Sequence, residues 1–339
     1  MGRGVGISGL RRMGLAILLV ALLPACDSGS SDFIEERGRQ DTTILTFRPG
    51  TLPPGSAGGE PLVGQMVITL ESGQVIDGLV LSNPNGDCIK VDRSTEVTIR
   101  NSVIGPCGGR AIHIQSSVDV KVEDSELIDS EAGVYALNSS SIVVSGNTIS
   151  NAGRNPVQFD KVTGSGNVVS DNEISNQEGS SETEDSINIY QSSGTESSPL
   201  VVERNLISDG GSSRSGSGIL VGDNGGSHMV VRGNTLINPG QVGIGVAGGQ
   251  NISVVDNLVF SEQFPWSNVG IYVWDQYDTD CEAIEVRGNV VEWYNSAGEV
   301  NPFYDAGNCG EVAGWHLNDS SDDLGELLGQ GQGAGGGDQ

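Results

Sequence analysis

Gly218-Ile-Leu-Val221, Val230-Val-Arg-Gly-Asn234, Gly243-Ile-Gly-Val246 and Val254-Val-Asp-Asn257 present the same two phrases twice within 40 residues. One phrase alternates apolar and variable side chains, the period of a half-buried strand. The other is a β-branched run stopped by asparagine. The second phrase also occurs as Val97-Thr-Ile-Arg-Asn101, Val120-Lys-Val-Glu-Asp-Ser125, Val143-Val-Ser-Gly-Asn147, Val168-Val-Ser-Asp-Asn172, Val201-Val-Glu-Arg-Asn205 and Val286-Arg-Gly-Asn289, with an earlier copy at Val75-Ile-Asp-Gly78. Its partner phrase occurs as Cys88-Ile-Lys-Val91, Ala111-Ile-His-Ile114, Gly133-Val-Tyr-Ala136, Pro156-Val-Gln-Phe159, Ser186-Ile-Asn-Ile189 and Gly270-Ile-Tyr-Val273. Successive stops lie 22 to 33 residues apart, with polar turns and no amphipathic helix between them. A unit so short buries nothing by itself and must stack on its neighbours. The pattern therefore predicts an all-β solenoid, a single-stranded right-handed parallel β-helix of about eight to ten coils rising ~4.8 Å each. The turn asparagines, Asn101 through Asn289, are expected to stack as amide ladders. Leucine-rich repeats and propellers lack support, because neither leucine spacing nor four strands per repeat is present.

Outward from the repeats, the ends read differently. Arg3, Arg11 and Arg12 precede the apolar run Leu15–Leu23, which is too short to span a bilayer comfortably and reads as a signal peptide over residues 1–25. The ending Leu23-Pro24-Ala25-Cys26 resembles the lipobox of bacterial lipoproteins. That resemblance implies cleavage before Cys26, lipidation of its thiol and a membrane-anchored, cell-envelope protein. Residues 26–60, rich in Gly, Ser, Pro and charge, read as a flexible tether. The repeats occupy 61–318, and the Gly-rich acidic tail 319–339 is expected to be disordered.

The chain carries a net charge of −27, made more negative still by removal of the three leading arginines, and contains only Lys90, Lys121 and Lys161 as lysines. Such a body repels nucleic acid. Cys88, Cys107, Cys281 and Cys309 remain after Cys26, an even number suited to disulfides in an exported protein. The expected pairs are Cys88 with Cys107 and Cys281 with Cys309.

The variable position of the alternating strand faces outward on every coil, so Lys90, His113, Tyr135, Gln158, Asn188, Leu220, Gly245 and Tyr272 should form one vertical column. Lys90, His113 and Tyr135, with Arg110 nearby, are the residue types of a polysaccharide lyase or epimerase. Such a reaction needs a cation for a uronate carboxylate, a base for the adjacent proton and a donor opposite. In that scheme Lys90 or Arg110 binds the carboxylate, His113 takes the proton and Tyr135 returns it, while Asp87, Gln158 and Asn188 contact substrate.

Gly86-Asp-Cys-Ile-Lys-Val91 and Cys107-Gly-Gly-Arg-Ala-Ile-His-Ile114 resemble the Asp-Asp-Cys and Cys-x-Gly-Gly-His-Gly segments of polygalacturonases, pectin-acting β-helix enzymes. The likeness covers about 30 residues. Gly86 stands in place of the first aspartate and Arg110 in place of the histidine, so only Asp87 carries over as a catalytic carboxylate. The resemblance also supports a Cys88–Cys107 bridge. Hydrolysis needs two carboxyl groups at a set separation, and adjacent rungs of the column supply none. The loop residues Asp129, Glu131, Glu182 and Glu184 are further candidates.

Trp266, Tyr272, Trp274, Tyr277, Trp293 and Tyr294 read as a cap over the last coils, or as platforms for sugar rings. Asp275, Asp278 and Asp280 could hold Ca²⁺ through oxygen ligands. Gly243-Ile-Gly-Val-Ala-Gly248 fits a dinucleotide fingerprint but leads into another strand rather than a helix. His113, His228 and His316 lack metal-ligand spacing, and no serine-hydrolase or nucleotide-binding motif occurs. The expected function is an exported protein that binds, and cleaves or epimerises, a polysaccharide; the alternative is a noncatalytic envelope or surface protein.

Overall fold

The computed structural model describes residues 44–45, 62–176, 183–210 and 216–332. Each repeat contributes three strand faces, and each strand pairs in parallel with its counterpart one repeat on. On the alternating face the register runs through ten rungs: Val67, Lys90, His113, Tyr135, Gln158, Asn188, Leu220, Gly245, Tyr272 and Tyr304. The column read from the sequence is therefore observed in register, rung by rung.

Strand alternation turns the flanking residues inward. Ile89, Ile112, Val134, Val157, Ile187, Ile219, Ile244 and Ile271 stack on one side of the column's axis. Val91, Ile114, Ala136, Phe159, Ile189, Val221, Val246 and Val273 stack on the other, and all are buried. Each fully buried valine or isoleucine contributes roughly 1.5–3 kcal/mol, repeated on every coil.

One corner of each coil is made by a left-handed residue. Gly78, Asn101, Asp124, Gly146, Asp171, Arg204, Gly233, Asp256 and Gly288 occupy it with φ between 48° and 73°. Glycine, asparagine and aspartate enter this region at least cost. The exception, Arg204, is held by two hydrogen bonds to Asp171 at 2.8 and 2.9 Å.

The residue after that corner points inward and forms the ladder. From Asn147 the amide Nδ2 donates to Oδ1 of Asn172, and the chain continues through Asn205, Asn234, Asn257, Asn289 and Asn318 at 2.7–3.0 Å. Each Oδ1 also accepts the backbone N–H of the asparagine one coil earlier. In the first coils Ser102 and Ser125 take this position, and the Oγ of Ser125 accepts the N–H of Ser102 at 3.2 Å. Asn101 is thus one residue out of the ladder. It sits at the left-handed corner, exposed, and its amide donates to Asp77.

Two expectations about the ends are corrected. Within the stretch read as a tether, Ile44–Leu45 pairs in parallel with Gln65 and Met66, which satisfies the otherwise open backbone edge of the first coil. Within the stretch read as disordered, Asp319–Ser320 pairs with Val290 and Val291, and Leu324–Gln332 is helical. That helix begins with buried Leu324, and the N–H of Gly325 donates to Glu292 at 2.8 Å. Gly325 packs so tightly on Phe260 that a Cβ there would stand 2.3 Å from the ring. The signal peptide and Cys26 lie outside the described residues. Among the described residues no helix is long and apolar enough to cross a membrane. The two disulfides are Cys88–Cys107 and Cys281–Cys309, as expected.

The ladder yields a graded prediction. Asn234→Ala strands buried partners above and below, each costing about 1–3 kcal/mol. Asn234→Ser retains an acceptor, as Ser125 does, and should cost less than half as much in urea or thermal unfolding.

Candidate functional site

The sequence-derived cluster comes together on the first rungs. Asp87 Oδ1 accepts the backbone N–H of Arg110 at 2.8 Å, and Oδ2 lies 3.1 Å from Nδ1 of His113. The Arg110 guanidinium is 3.6 Å from Asp87 and rests 4.6 Å over the ring of Tyr135. Tyr135 in turn donates to Asp160 at 2.9 Å, and Asp160 pairs with Lys161. Burial pulls the Asp87 carboxyl upward, but His113 and the backbone and charge of Arg110 outweigh it and hold it below the ordinary value. Burial, and then the neighbouring Asp160, push the Tyr135 phenol up to about 12. The other ring nitrogen of His113, Nε2, is buried and makes no hydrogen bond. Lys90 stands one rung away, half-buried.

The open groove lies farther along the same face. It spans the rungs from Gln158 to Tyr304, encloses about 960 Å³ and includes neither Lys90, Arg110, His113 nor Tyr135 in its walls. Gln158 and Asn188, read as substrate contacts, do line it. Its described walls include Glu184 and Asp185, from the segment between strands Glu173–Ser175 and Ile187–Ser193, and Ser217, the first residue of strand Ser217–Arg232.

Two carboxylates meet on adjacent coils in this groove. Asp185 Oδ1 accepts the backbone N–H of Ser217 at 2.9 Å. A single amide nitrogen, Nδ2 of Asn188, donates to Oδ2 of Asp185 at 2.8 Å and to Oδ2 of Asp223 at 3.0 Å. The two carboxylate oxygens therefore stand within about 6 Å of each other, the range in which paired carboxyl groups act on glycosidic bonds. Burial, with no cation beside it and Asp223 opposite, pushes the Asp185 carboxyl up to about 6. Burial likewise raises Asp223, offset in part by hydrogen bonds from Asn188 and the Tyr277 hydroxyl. Oδ1 of Asp223 and Oδ1 of Asn188 are buried without hydrogen-bond partners.

The rest of the groove is built from rungs that expose no charge. Tyr272 does not project outward as its column position suggests. It folds down over Gly245, where a Cβ would stand 2.6 Å from the ring, and its hydroxyl accepts from Gln276 at 2.7 Å. With Val242, Val269 and Leu220 it forms a small apolar floor outside the main core. Trp274 and Tyr304 stand 47% and 51% exposed at the same end. The aromatic cluster is thus divided: Trp293 is buried in the core, Trp266 stacks on Phe264, and Tyr272, Trp274 and Tyr277 line the groove.

The three aspartates proposed for Ca²⁺ do not converge; among the described residues no group of three or more His, Cys, Asp or Glu side chains is arranged for a metal. Asp275 Oδ1 is occupied by the N–H groups of Tyr277 and Thr279 and the Thr279 hydroxyl, which fold the loop. The Gly243–Gly248 fingerprint is strand Val242–Val246 leading to strand Gln250–Val255. Of the carboxylates read as loop residues, Asp129 and Glu131 lie instead within strand Glu126–Leu137, where Asp129 accepts from Asn151; Glu184 pairs with Arg154 at 3.0 Å, and Glu182 lies outside the described residues.

Sequence reasoning missed Asp185 and Asp223. A signal for the first was present: Asp185-Ser-Ile-Asn188 has the spacing of Asp87-Cys-Ile-Lys90. Both aspartates hold the same register, and each accepts the backbone N–H of the residue stacked on it. Asp223 gave no such signal, because a register irregularity between Asn188 and Tyr190 sets it opposite Tyr190.

The family model described as "Right handed beta helix region" matches residues 66–259 and 183–291, and the chain belongs to that family. Among solved structures, the chain is similar to the catalytic domain of a GH87 α-1,3-glucanase variant in complex with tetrasaccharides, at 14% identity, 75% coverage of this chain, 58% of that one and a TM-score of 0.46. It is similar to the Dettilon tailspike protein at 17% identity, 72% and 49% coverage and a TM-score of 0.38. It is also similar to the A-module of an Azotobacter vinelandii mannuronan C-5 epimerase at 15% identity, 78% and 87% coverage and a TM-score of 0.37. The chain spans less than two thirds of the glucanase and tailspike chains. No curated protein matches the sequence.

The raised carboxyl makes a signed prediction. An unfolded Asp185 titrates near 3.8 and the folded one near 6, so between these the native state holds a proton that the unfolded chain has lost. Stability contributed by that proton is present below the window and falls as pH rises through it. Asp185→Asn lacks this loss. The melting temperature of the variant relative to wild type should therefore rise, by on the order of 5 °C, from about pH 4 to about pH 7.

Proposed function

We propose that the protein binds a polysaccharide along the groove between Gln158 and Tyr304 and cleaves it by acid–base chemistry at Asp185 and Asp223. The observation that carries this reading is the sharing of Asn188 Nδ2 by two buried carboxylates on the groove floor. So close a buried pair cannot ionise fully without cost, and burial raises both carboxyls above their ordinary value. Asp185, pushed up to about 6 by burial, is the acid that protonates the leaving glycosidic oxygen. Asp223, beside the Tyr277 hydroxyl, is the nucleophile that bonds to the anomeric carbon as the leaving oxygen takes the proton of Asp185; Asp185 then takes a proton from the water that displaces Asp223 and releases the glycosyl group. Asn188 fixes both, and the chain's rungs, ~4.8 Å apart, offer about one coil per sugar unit of a linear glycan lying along the axis.

A second reading places lyase or epimerase chemistry on the first rungs. It is favoured by the Asp87–His113 contact: an ionised carboxylate only accepts, so Nδ1 carries the proton and Nε2 keeps its lone pair. Lys90 or Arg110 would neutralise a uronate there. Use of Nε2 requires the ring to move, because that atom is buried.

A polysaccharide panel followed by reducing-end release and by ultraviolet absorbance of unsaturated ends separates the two. The expected result is reducing ends without unsaturation, lowered about 10²–10⁴-fold in Asp185→Asn and in Asp223→Asn. Unsaturated ends that vanish in His113→Ala would move the reaction to the first rungs. Silence in both channels would leave a noncatalytic envelope protein.

We further read the protein as an exported lipoprotein held to a membrane through Cys26, supported by the arginine-flanked apolar run and the sequence Leu23-Pro-Ala-Cys26. In a bacterial host, wild type should sediment with membranes and incorporate labelled fatty acid. Cys26→Ser should do neither, and an unchanged distribution would remove the anchor.

A further inference from the structure

The groove's lining is specific about charge. Its described residues include three carboxylates, Glu184, Asp185 and Asp223, and a single cation, Arg154. Arg154 is already engaged with Glu184 at 3.0 Å. Seven amide side chains share the walls with five aromatic rings. We propose that the glycan bound in this groove is an uncharged one, stacked at its far end on Trp274 and Tyr304. This rests on the groove being the glycan site, and goes beyond it by naming the substrate class.

A polyuronate would bring one carboxylate per sugar against the Asp185–Asp223 pair. Two like charges about 4 Å apart repel by roughly 1–4 kcal/mol across the effective dielectrics of a protein surface. No free cation among the described lining residues offsets that repulsion, and the net charge of −27 adds to it at longer range. An uncharged sugar meets none of this. Its hydroxyls both donate and accept, and so does each lining amide. Asn188 Oδ1 and Asp223 Oδ1 are unpartnered acceptors beneath the groove, and because both atoms are buried a sugar hydroxyl reaches them only when those side chains turn. The apolar faces of its rings match Trp274 and Tyr304, which stand 47% and 51% exposed on neighbouring coils of the same wall. The small floor of Tyr272, Val242, Val269 and Leu220 continues that surface toward the acid pair.

The test reads binding separately from turnover. Calorimetry with the full-chain wild type, run in the cold with thio-linked hexasaccharides that resist cleavage, uses analogues of cellohexaose, laminarihexaose, mannohexaose and an α-1,3-linked glucohexaose as uncharged probes, and of hexagalacturonate and hexamannuronate as charged ones. At least one uncharged probe should bind about tenfold or more tighter than both uronates, a difference of about 1.4 kcal/mol. Its affinity should change less than about twofold between about 0.05 M and about 0.5 M salt, since no charge on the ligand is screened. Trp274→Ala and Tyr304→Ala, both exposed and free to change without disturbing the core, should each weaken it about tenfold. Uronate binding as tight as the best uncharged probe, or no binding by any uncharged probe, overturns the proposal. Binding of an uncharged probe whose oxygen-linked form wild type leaves uncleaved would remove the catalytic reading and leave this one. Cleavage of a uronate by Asp185 and Asp223 would do the reverse.

Discussion

The stacking of each strand on its counterpart one coil away is the constraint from which everything else follows. Parallel pairing at a fixed register means that a side chain's neighbours along the axis are residues 19 to 34 positions distant, never its sequence neighbours. A residue type that suits a position on one coil therefore suits it on the next. Valines and isoleucines stack into the core, left-handed corners repeat as glycine, asparagine or aspartate, and the buried asparagines satisfy each other's amides and the adjacent backbone. A buried amide left without partners costs more than a hydrogen bond earns in water, so the ladder is tolerable only because it is continuous. Its continuity from Asn147 to Asn318 also fixes the register of the strands on either side of it.

That register arranges the outward face. Because inward positions are committed to packing, variation is free only on the column and the two registers beside it. The first rungs use this freedom for a network of paired charges. Asp87 serves His113 and Arg110, and Tyr135 serves Asp160. Farther along, the same positions carry amides, small residues and aromatics, and the carboxylates Asp185 and Asp223 have no ion-pair partner among the described residues, the groove's Arg154 being held by Glu184. The contrast between Asp87 and Asp185 makes the point: the register and the backbone contact are the same, yet one carboxyl lies below its ordinary value and the other well above it. Arg110 and His113 make the difference. Function on such a scaffold is set by what stands within one or two coils of a given residue.

Gly245 shows the same logic in packing. Its missing side chain leaves a gap in the column, and Tyr272 from the next rung lies across it instead of projecting into solvent. This places an apolar surface beside the acid pair and removes from the outer column a residue that its position alone assigns there. The helix at Leu324–Gln332 depends on another absent side chain, at Gly325 against Phe260. In both places the decisive feature is the space a neighbour occupies.

By itself the sequence determined the solenoid and its outward column, because these follow from local alternation and from a repeat whose copies are similar enough to align; its two disulfides were legible from an even cysteine count and, for Cys88–Cys107, from the resemblance to polygalacturonases. It also brought Asp87, Arg110, His113 and Tyr135 to one place, since residues at one phase of a repeat must stack. It did not reveal the groove or its carboxylate pair. Asp185 shares the spacing of Asp87 but gives no sign of a partner, and Asp223 reaches its position through a register irregularity, so the pair is not visible in the spacing. Tertiary structure alone decided which rungs stand open, because openness depends on the insertions between strands and on how side chains such as Tyr272 lie. It also decided which carboxyl keeps its proton, because that depends on burial and on cations that are distant in sequence.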